Sequence, residues 1–102
     1  MEDYEIDLKK LQDMAASGRH SVFWVLGPTN TDIIKMNLEI NEEVVALYPE
    51  QLLEEKNPKS IVGDEPILVC EHGITSGFLC KDLRKKGVNA YSLAGGIDGM
   101  RG

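Results

Sequence analysis

Cys70 is the residue whose placement points most directly to chemistry. It sits in the segment 65–87, EPILVCEHGITSGFLCKDLRKKG. Pro66 opens this segment, and Ile67, Leu68 and Val69 form the continuous apolar run of a strand covered on both faces, so Cys70 falls at the strand's carboxyl end. In an open α/β sheet that edge is where ligands and reacting groups gather. The loop Glu71, His72, Gly73, Ile74, Thr75, Ser76 follows, and the spacing predicts a helix over Gly77–Lys86. The N–H groups and dipole of such a helix point back at Cys70 and favour a negative sulfur. Gly73 accepts either sign of φ, so successive amides can converge into an anion-binding nest, and Thr75 and Ser76 add hydroxyl donors that are placed to cap the helix. The chemistry this arrangement suits is that of a thiolate nucleophile that keeps a transferred, anionic group inside a cup of amides.

The loop Cys70-Glu71-His72-Gly73-Ile74-Thr75-Ser76 resembles the active-site loop of rhodanese-family sulfurtransferases, whose pattern is CxxGx followed by Arg or Thr and a small residue. Residues 88–93, VNAYSL, with the Gly95-Gly96-Ile97 that follows, are similar to the strand and GGI segment that close such a domain. Residues 4–18 resemble its opening strand and helix, with Asp7 as N-cap and Gly18 as C-cap, and residues 45–54 its strand, turn and short helix before the catalytic strand. The resemblance implies a single rhodanese-like domain over residues 1–102, with a mainly parallel central sheet flanked by helices on both faces. It implies a persulfide on Cys70, a substrate-binding loop made of Glu71, His72, Gly73, Ile74, Thr75 and Ser76, and neither metal nor organic cofactor. Its partners are then a small sulfur donor and an acceptor such as cyanide, a small thiol or an acceptor protein. The chain is expected to be a monomer or a weak homodimer.

Two features depart from the family pattern. At the end of the second strand, where the family carries Asp-Val-Arg, this chain has Phe23-Trp24-Val25-Leu26-Gly27-Pro28, and residues 37–44 lack the His-Ile-x-Gly-Ala segment. These departures, with the acidic Glu71, favour a rival expectation, a noncatalytic interaction or sensor domain. A second rival is a cysteine-dependent phosphatase or arsenate reductase, which also places cysteine before an amide cradle. Such enzymes carry arginine six positions after the cysteine and often histidine before it, where this chain has Ser76 and Val69.

The elements that must position Cys70 alternate along the chain. Tyr4 to Ile6 reads as a strand, Leu8 to Ser17 as a helix, and Ser21 to Leu26 as a second apolar strand. Gly27 to Asn30 breaks the chain, and Thr31 to Leu38 reads as a weak helix or irregular turn. Glu43 to Tyr48 is a strand, Pro49 opens a helix continued by Gln51 to Lys56, and a short helix fits within Asn57 to Glu65. The strand at Ala90 to Leu93 and a turn at Gly95 and Gly96 end the pattern, which is that of βα units around a mainly parallel sheet.

Length and composition set the outer bounds. One core fits into 102 residues and a second does not, and 42% hydrophobic with 27% charged residues is ordinary for a globular chain. A net charge of −6 argues against general nucleic-acid binding. No apolar run is long enough to span a bilayer, and MEDYEIDLKK is unlike a secretory signal, so a cytoplasmic protein without membrane partners is expected. Two cysteines make neither a disulfide framework nor, with two histidines, a zinc site.

The remaining chemistry-bearing residues have plainer accounts. Cys80 shares the sheet-facing side of its helix with Leu79 and Leu83 and reads as core, the alternative being a resolving thiol for Cys70. His72 and Glu71 rim the pocket, where the histidine can neutralise an anionic donor and the carboxylate repels one such as thiosulfate. His20 reads as exposed, and Phe23 and Trp24 as core. Lys81, Arg84, Lys85 and Lys86 complement the helix dipole, with docking of an acidic partner as the sharper alternative.

Overall fold

Alternation along a single strand explains how the sulfur is aimed. In the computed structural model, which describes residues 4–17, 22–26 and 43–98 together with Asp32, Lys35 and Met36, Ile67–Val69 forms strand β4 and all three of its residues are fully buried. Ile67 and Val69 pack into one apolar cluster with Ile6, Leu11, Ala15, Leu93 and Ile97. Leu68 and Cys70 turn the other way, into a cluster with Leu47, Leu52, Val62, Leu79, Cys80 and Leu83. Successive residues of a strand face opposite sides, so β4 presents Cys70 to the same layer as Leu68.

Around β4 the chain runs β1 (Glu5–Ile6), α1 (Leu8–Ala16), β2 (Val22–Leu26), β3 (Glu43–Leu47), α2 (Pro49–Leu53), α3 (Lys59–Val62), β4, α4 (Ile74–Lys85) and β5 (Tyr91–Leu93). The five strands are all parallel, in the order β1-β5-β4-β2-β3. β4 is therefore central, which is why its run is unbroken by polar residues. Helix α1 supplies Leu11 and Ala15 to the first cluster, whereas α2, α3 and α4 supply Leu52, Val62, Leu79 and Leu83 to the second. The α/β architecture, with a parallel sheet covered on both faces, is the one the sequence predicts.

Strand β2 leads onward to β3 on one side of the sheet, and β4 leads through α4 to β5 on the other. The carboxyl ends of these two neighbours form a switch point, where a crevice opens in sheets of this kind. Cys70 is the first residue beyond β4 at that point.

Local chemistry accounts for the element ends, with some differences from expectation. Asp7 caps α1, its Oδ1 accepting from the Lys10 N–H at 2.7 Å. The C-cap is Ser17, and Gly18 lies outside the described residues. Pro49 is the first residue of α2, where its missing N–H costs nothing; the helix stops at Leu53, short of the predicted Lys56. The largest correction concerns α4, which begins at Ile74 rather than Gly77. Its N-cap is Gly73, in the left-handed region at φ 83°, and neither Thr75 nor Ser76 caps it. With Gly73 turning the chain, helical geometry starts three residues early and carries Thr75 and Ser76 into the first turn. His20 and most of residues 31–38 lie outside the described residues, as do the side chains of Phe23 and Trp24.

Candidate active site

Three groups converge on the Cys70 sulfur. The Gly73 N–H donates to Sγ at 3.0 Å and the Ser76 N–H at 3.3 Å, while the thiol reaches Ser76 Oγ at 3.3 Å. The two amides come from the N-cap and the first turn of α4, positions that by construction have no partner within the helix. The expected cradle of amides from Glu71 to Ser76 is thus narrower at the sulfur itself: two N–H groups and one hydroxyl meet it. The N–H groups of Ile74 and Thr75 occupy the same first turn.

Ser76 is fully buried, and its Oγ lies 2.6 Å from Oγ of Ser92, which is also buried, on β5. Either hydroxyl of this pair can donate. With a neutral sulfur the thiol donates to Ser76, and Ser76 donates onward to Ser92. With a negative sulfur the order reverses: Ser92 donates to Ser76, and Ser76 turns its proton to the sulfur. Rotation of two hydroxyls adapts the site to either charge state without moving the backbone.

Gly73 and Gly96 hold the loop in place. Gly96, at φ 62°, packs so closely against it that a Cβ there would stand 2.3 Å from the Cys70 carbonyl oxygen and 2.6 Å from the Gly73 nitrogen. The loop's own carbonyls are bound by the turn after β5: Ile97 N–H donates to Cys70 O at 3.0 Å and Asp98 N–H to Glu71 O at 2.8 Å. At the rim, His72 Nδ1 and Asp98 Oδ2 are 2.9 Å apart, both partly solvent-exposed.

Cys70 is only 6% exposed, yet it lies on the wall of a cavity of about 370 Å³ that opens to solvent, lined also by Pro49, Glu71, His72, Ile74 and Thr75. No arginine or lysine is among these lining residues. The predicted loop residues are therefore brought together around one sulfur but play two different parts. Gly73 and Ser76 bind the sulfur, whereas Glu71, His72, Ile74 and Thr75 shape the mouth. Thr75, expected to donate to the site, is exposed and makes no hydrogen bond to Cys70. Among the described residues no group of three or more His, Cys, Asp or Glu side chains is placed to hold a metal ion.

Cys80 is fully buried among Leu79, Leu83 and Leu68. Burial pushes its thiol up to about 12 from an ordinary 9.0; nearby Arg84 opposes the rise and Cys70 adds to it. It packs as a hydrophobe on the buried side of α4, in the same cluster as Cys70.

Ser92, Gly96 and Asp98 are parts of the site that sequence reasoning misses. Ser92 leaves a signal, a small hydroxyl side chain between Tyr91 and Leu93 in the β5 run, and Gly96 is legible as a turn glycine but not as a clamp. Asp98 leaves none, because its pairing with His72 depends on two loops that meet only in the fold. No protein-family model matches this chain, and no curated protein matches it.

Proposed function

We propose that this chain is a rhodanese-like sulfurtransferase that carries a sulfane sulfur on Cys70. The observation that carries the proposal is the convergence of the Gly73 and Ser76 N–H groups and the Ser76 hydroxyl on one cysteine sulfur at the wall of an open cavity. The family resemblance of the loop and of the GGI segment, the parallel sheet and the placement of Cys70 at its switch point support the same reading.

In the loading step the Cys70 thiolate attacks the outer sulfur of a donor. A bond forms between Sγ and that sulfur, the donor's own sulfur–sulfur bond breaks, and its electron pair leaves with the donor residue, as sulfite in the case of thiosulfate. Cys70 then holds a persulfide anion. Preorganised N–H donors stabilise such an anion without reorganising at the moment of reaction, as oxyanion holes do. In the second step an acceptor thiol takes the outer sulfur, its proton goes to the new persulfide, and Cys70 is released as thiolate. Charge and electrons balance in both steps with no outside oxidant or reductant.

Incubating the protein with a sulfane donor and weighing it tests this directly. The wild type gains one sulfur atom that a reducing thiol removes, and Cys70→Ser gains none. A wild type whose mass never changes with any class of sulfane donor overturns the proposal. The phosphatase alternative has less support, since the position six residues after Cys70 is the buried Ser76, whose hydroxyl faces the sulfur where an oxyanion would require a guanidinium.

Glu71 sets the donor preference. In a water-like dielectric a carboxylate about 6 Å from a dianion repels it by about 1.4 kcal/mol. Glu71→Gln is therefore expected to raise kcat/KM for thiosulfate about tenfold at low ionic strength, and only about threefold for a singly charged persulfide donor. Equal responses to the two donors would remove Glu71 from this role.

A further inference from the structure

The exposed face of α4 continues outward from the mouth of the cavity, and its composition changes along the way. Ile74, which lines the cavity, is 76% exposed, and Phe78, one turn further, is 61% exposed. Lys81 and Lys85 follow, both exposed. At 100° per residue these four side chains fall within an arc of about 60°, opposite the buried Leu79 and Leu83. They run about 16 Å along the helix at 1.5 Å per residue. The second lip of the mouth is apolar as well: Pro49 lines the cavity, with exposed Tyr48 before it and exposed Leu53 one turn later on α2.

The two lysines stand out in a chain of net charge −6. The other cations near the end of α4 are engaged: Arg84 Nε donates to the Ala90 carbonyl and its guanidinium lies over the Tyr91 ring, and Lys86 pairs with Asp82 at 3.0 Å. Lys81 and Lys85 have no ion pair among the described residues. Across the mouth, α2 exposes Glu50, Glu54 follows it, and Glu71 adds a carboxylate on the cavity lining, so carboxylates gather at the mouth and the two ammonium groups lie further out along α4.

We infer that the stripe Ile74, Phe78, Lys81, Lys85 is a docking surface for an acceptor protein, one that offers a cysteine flanked by apolar side chains and followed by acidic ones. This rests on the sulfurtransferase reading and names its acceptor class. The acceptor cysteine enters at the cavity mouth, its apolar neighbours cover Ile74 and Phe78, and its carboxylates reach Lys81 and Lys85. Large exposed apolar side chains beside a reaction cavity, continued by charge of one sign, are what a partner of that chemistry complements. The transfer is the second step already given: the acceptor sulfur bonds to the outer sulfur, the Cys70 Sγ–S bond breaks, and the thiol proton ends on the new persulfide.

The test uses the full chain loaded on Cys70 with a sulfane donor, and two synthetic peptides. Each has one cysteine flanked by leucines; one continues into aspartates and the other into lysines. The acidic peptide is expected to take the sulfur with a kcat/KM about tenfold higher at low salt, an advantage that shrinks as ionic strength rises. Phe78→Ser lowers the rate to the acidic peptide about tenfold, and Lys81→Glu with Lys85→Glu reverses the peptide preference. Transfer to a small thiol stays unchanged in these variants, because none of the three residues lines the cavity. A loaded protein that serves both peptides alike overturns the docking inference and leaves the sulfurtransferase reading standing. A protein that never loads overturns both. A dimer dissociated by Phe78→Ser puts a second copy on the stripe and overturns the acceptor assignment.

Discussion

Gly96→Ala is expected to be strongly damaging for a change of a single methyl group. The added Cβ would lie 2.3 Å from Cys70 O, 2.6 Å from Gly73 N and 2.7 Å from the Glu71 carbonyl carbon, all backbone atoms that no rotamer change can move. Alanine at φ 62° adds about 1 kcal/mol of left-handed strain, and forced overpacking adds about 1–3 kcal/mol. A loss of about 3 kcal/mol is a large share of the roughly 5–15 kcal/mol that holds a domain folded. At about 4 °C or more per kcal/mol for a domain this size, Tm falls by about 12 °C. The control is Gly63→Ala, which also has a positive φ, 83°, with an extended ψ of −163°, but has open space around it and should lose about 1–3 kcal/mol from backbone strain alone. Persulfide loading, measured by mass at a temperature where both variants are folded, should survive in Gly63→Ala and fall at least about a hundredfold in Gly96→Ala, since the loop that aims the Gly73 N–H must move. Normal loading in Gly96→Ala would show that the loop's position is not what the sulfur needs.

The second large effect is selectivity between the two cysteines. With its thiol pushed up to about 12, Cys80 at pH 8 is ionised in about one molecule in ten thousand, about a thousandfold less than a thiol at 9.0. Since the thiolate is the nucleophile, and Cys80 is also fully buried, an alkylating reagent should modify the folded protein once, at Cys70. Peptide mapping after brief iodoacetamide treatment checks this, and Cys70→Ser should then remain unmodified until it is denatured. Label on Cys80 of the folded protein would mean that α4 exposes it. The same shift has a stability consequence. Because the folded state holds the Cys80 proton more tightly than the unfolded chain, its contribution is complete below about pH 9 and is lost as pH rises towards about 12. Cys80→Ala should flatten that alkaline limb.

Much of the architecture is legible in local patterns. The unbroken Ile67-Leu68-Val69 run predicts a central strand, and β4 is central; Asp7 and Pro49 mark helix starts, and both helices start there. These signals survive because capping, proline geometry and the apolar run of a doubly covered strand are properties of a few consecutive residues. Helix α4 starts three residues earlier than its hydroxyl residues suggest. Thr75 and Ser76 resemble caps, whereas the left-handed Gly73 takes that position and Ser76 turns inward to Cys70 and Ser92.

What the chain determined by itself, then, was the βα alternation, the cysteine at a strand's end and the glycine that allows the turn after it. Only the tertiary structure decided that the Ser92 hydroxyl on β5 would back Ser76, that Gly96 would clamp the loop from 26 residues beyond Cys70, and that Lys81 and Lys85 would stand beside exposed Phe78 with no ion pair among the described residues. The physical reason is separation along the chain. Hydrogen bonds and steric contacts act over a few ångströms, so residues of one turn or one strand reveal them through spacing. Partners from different elements meet only after the sheet order is set and burial has brought β4, α4 and the turn after β5 to the same edge.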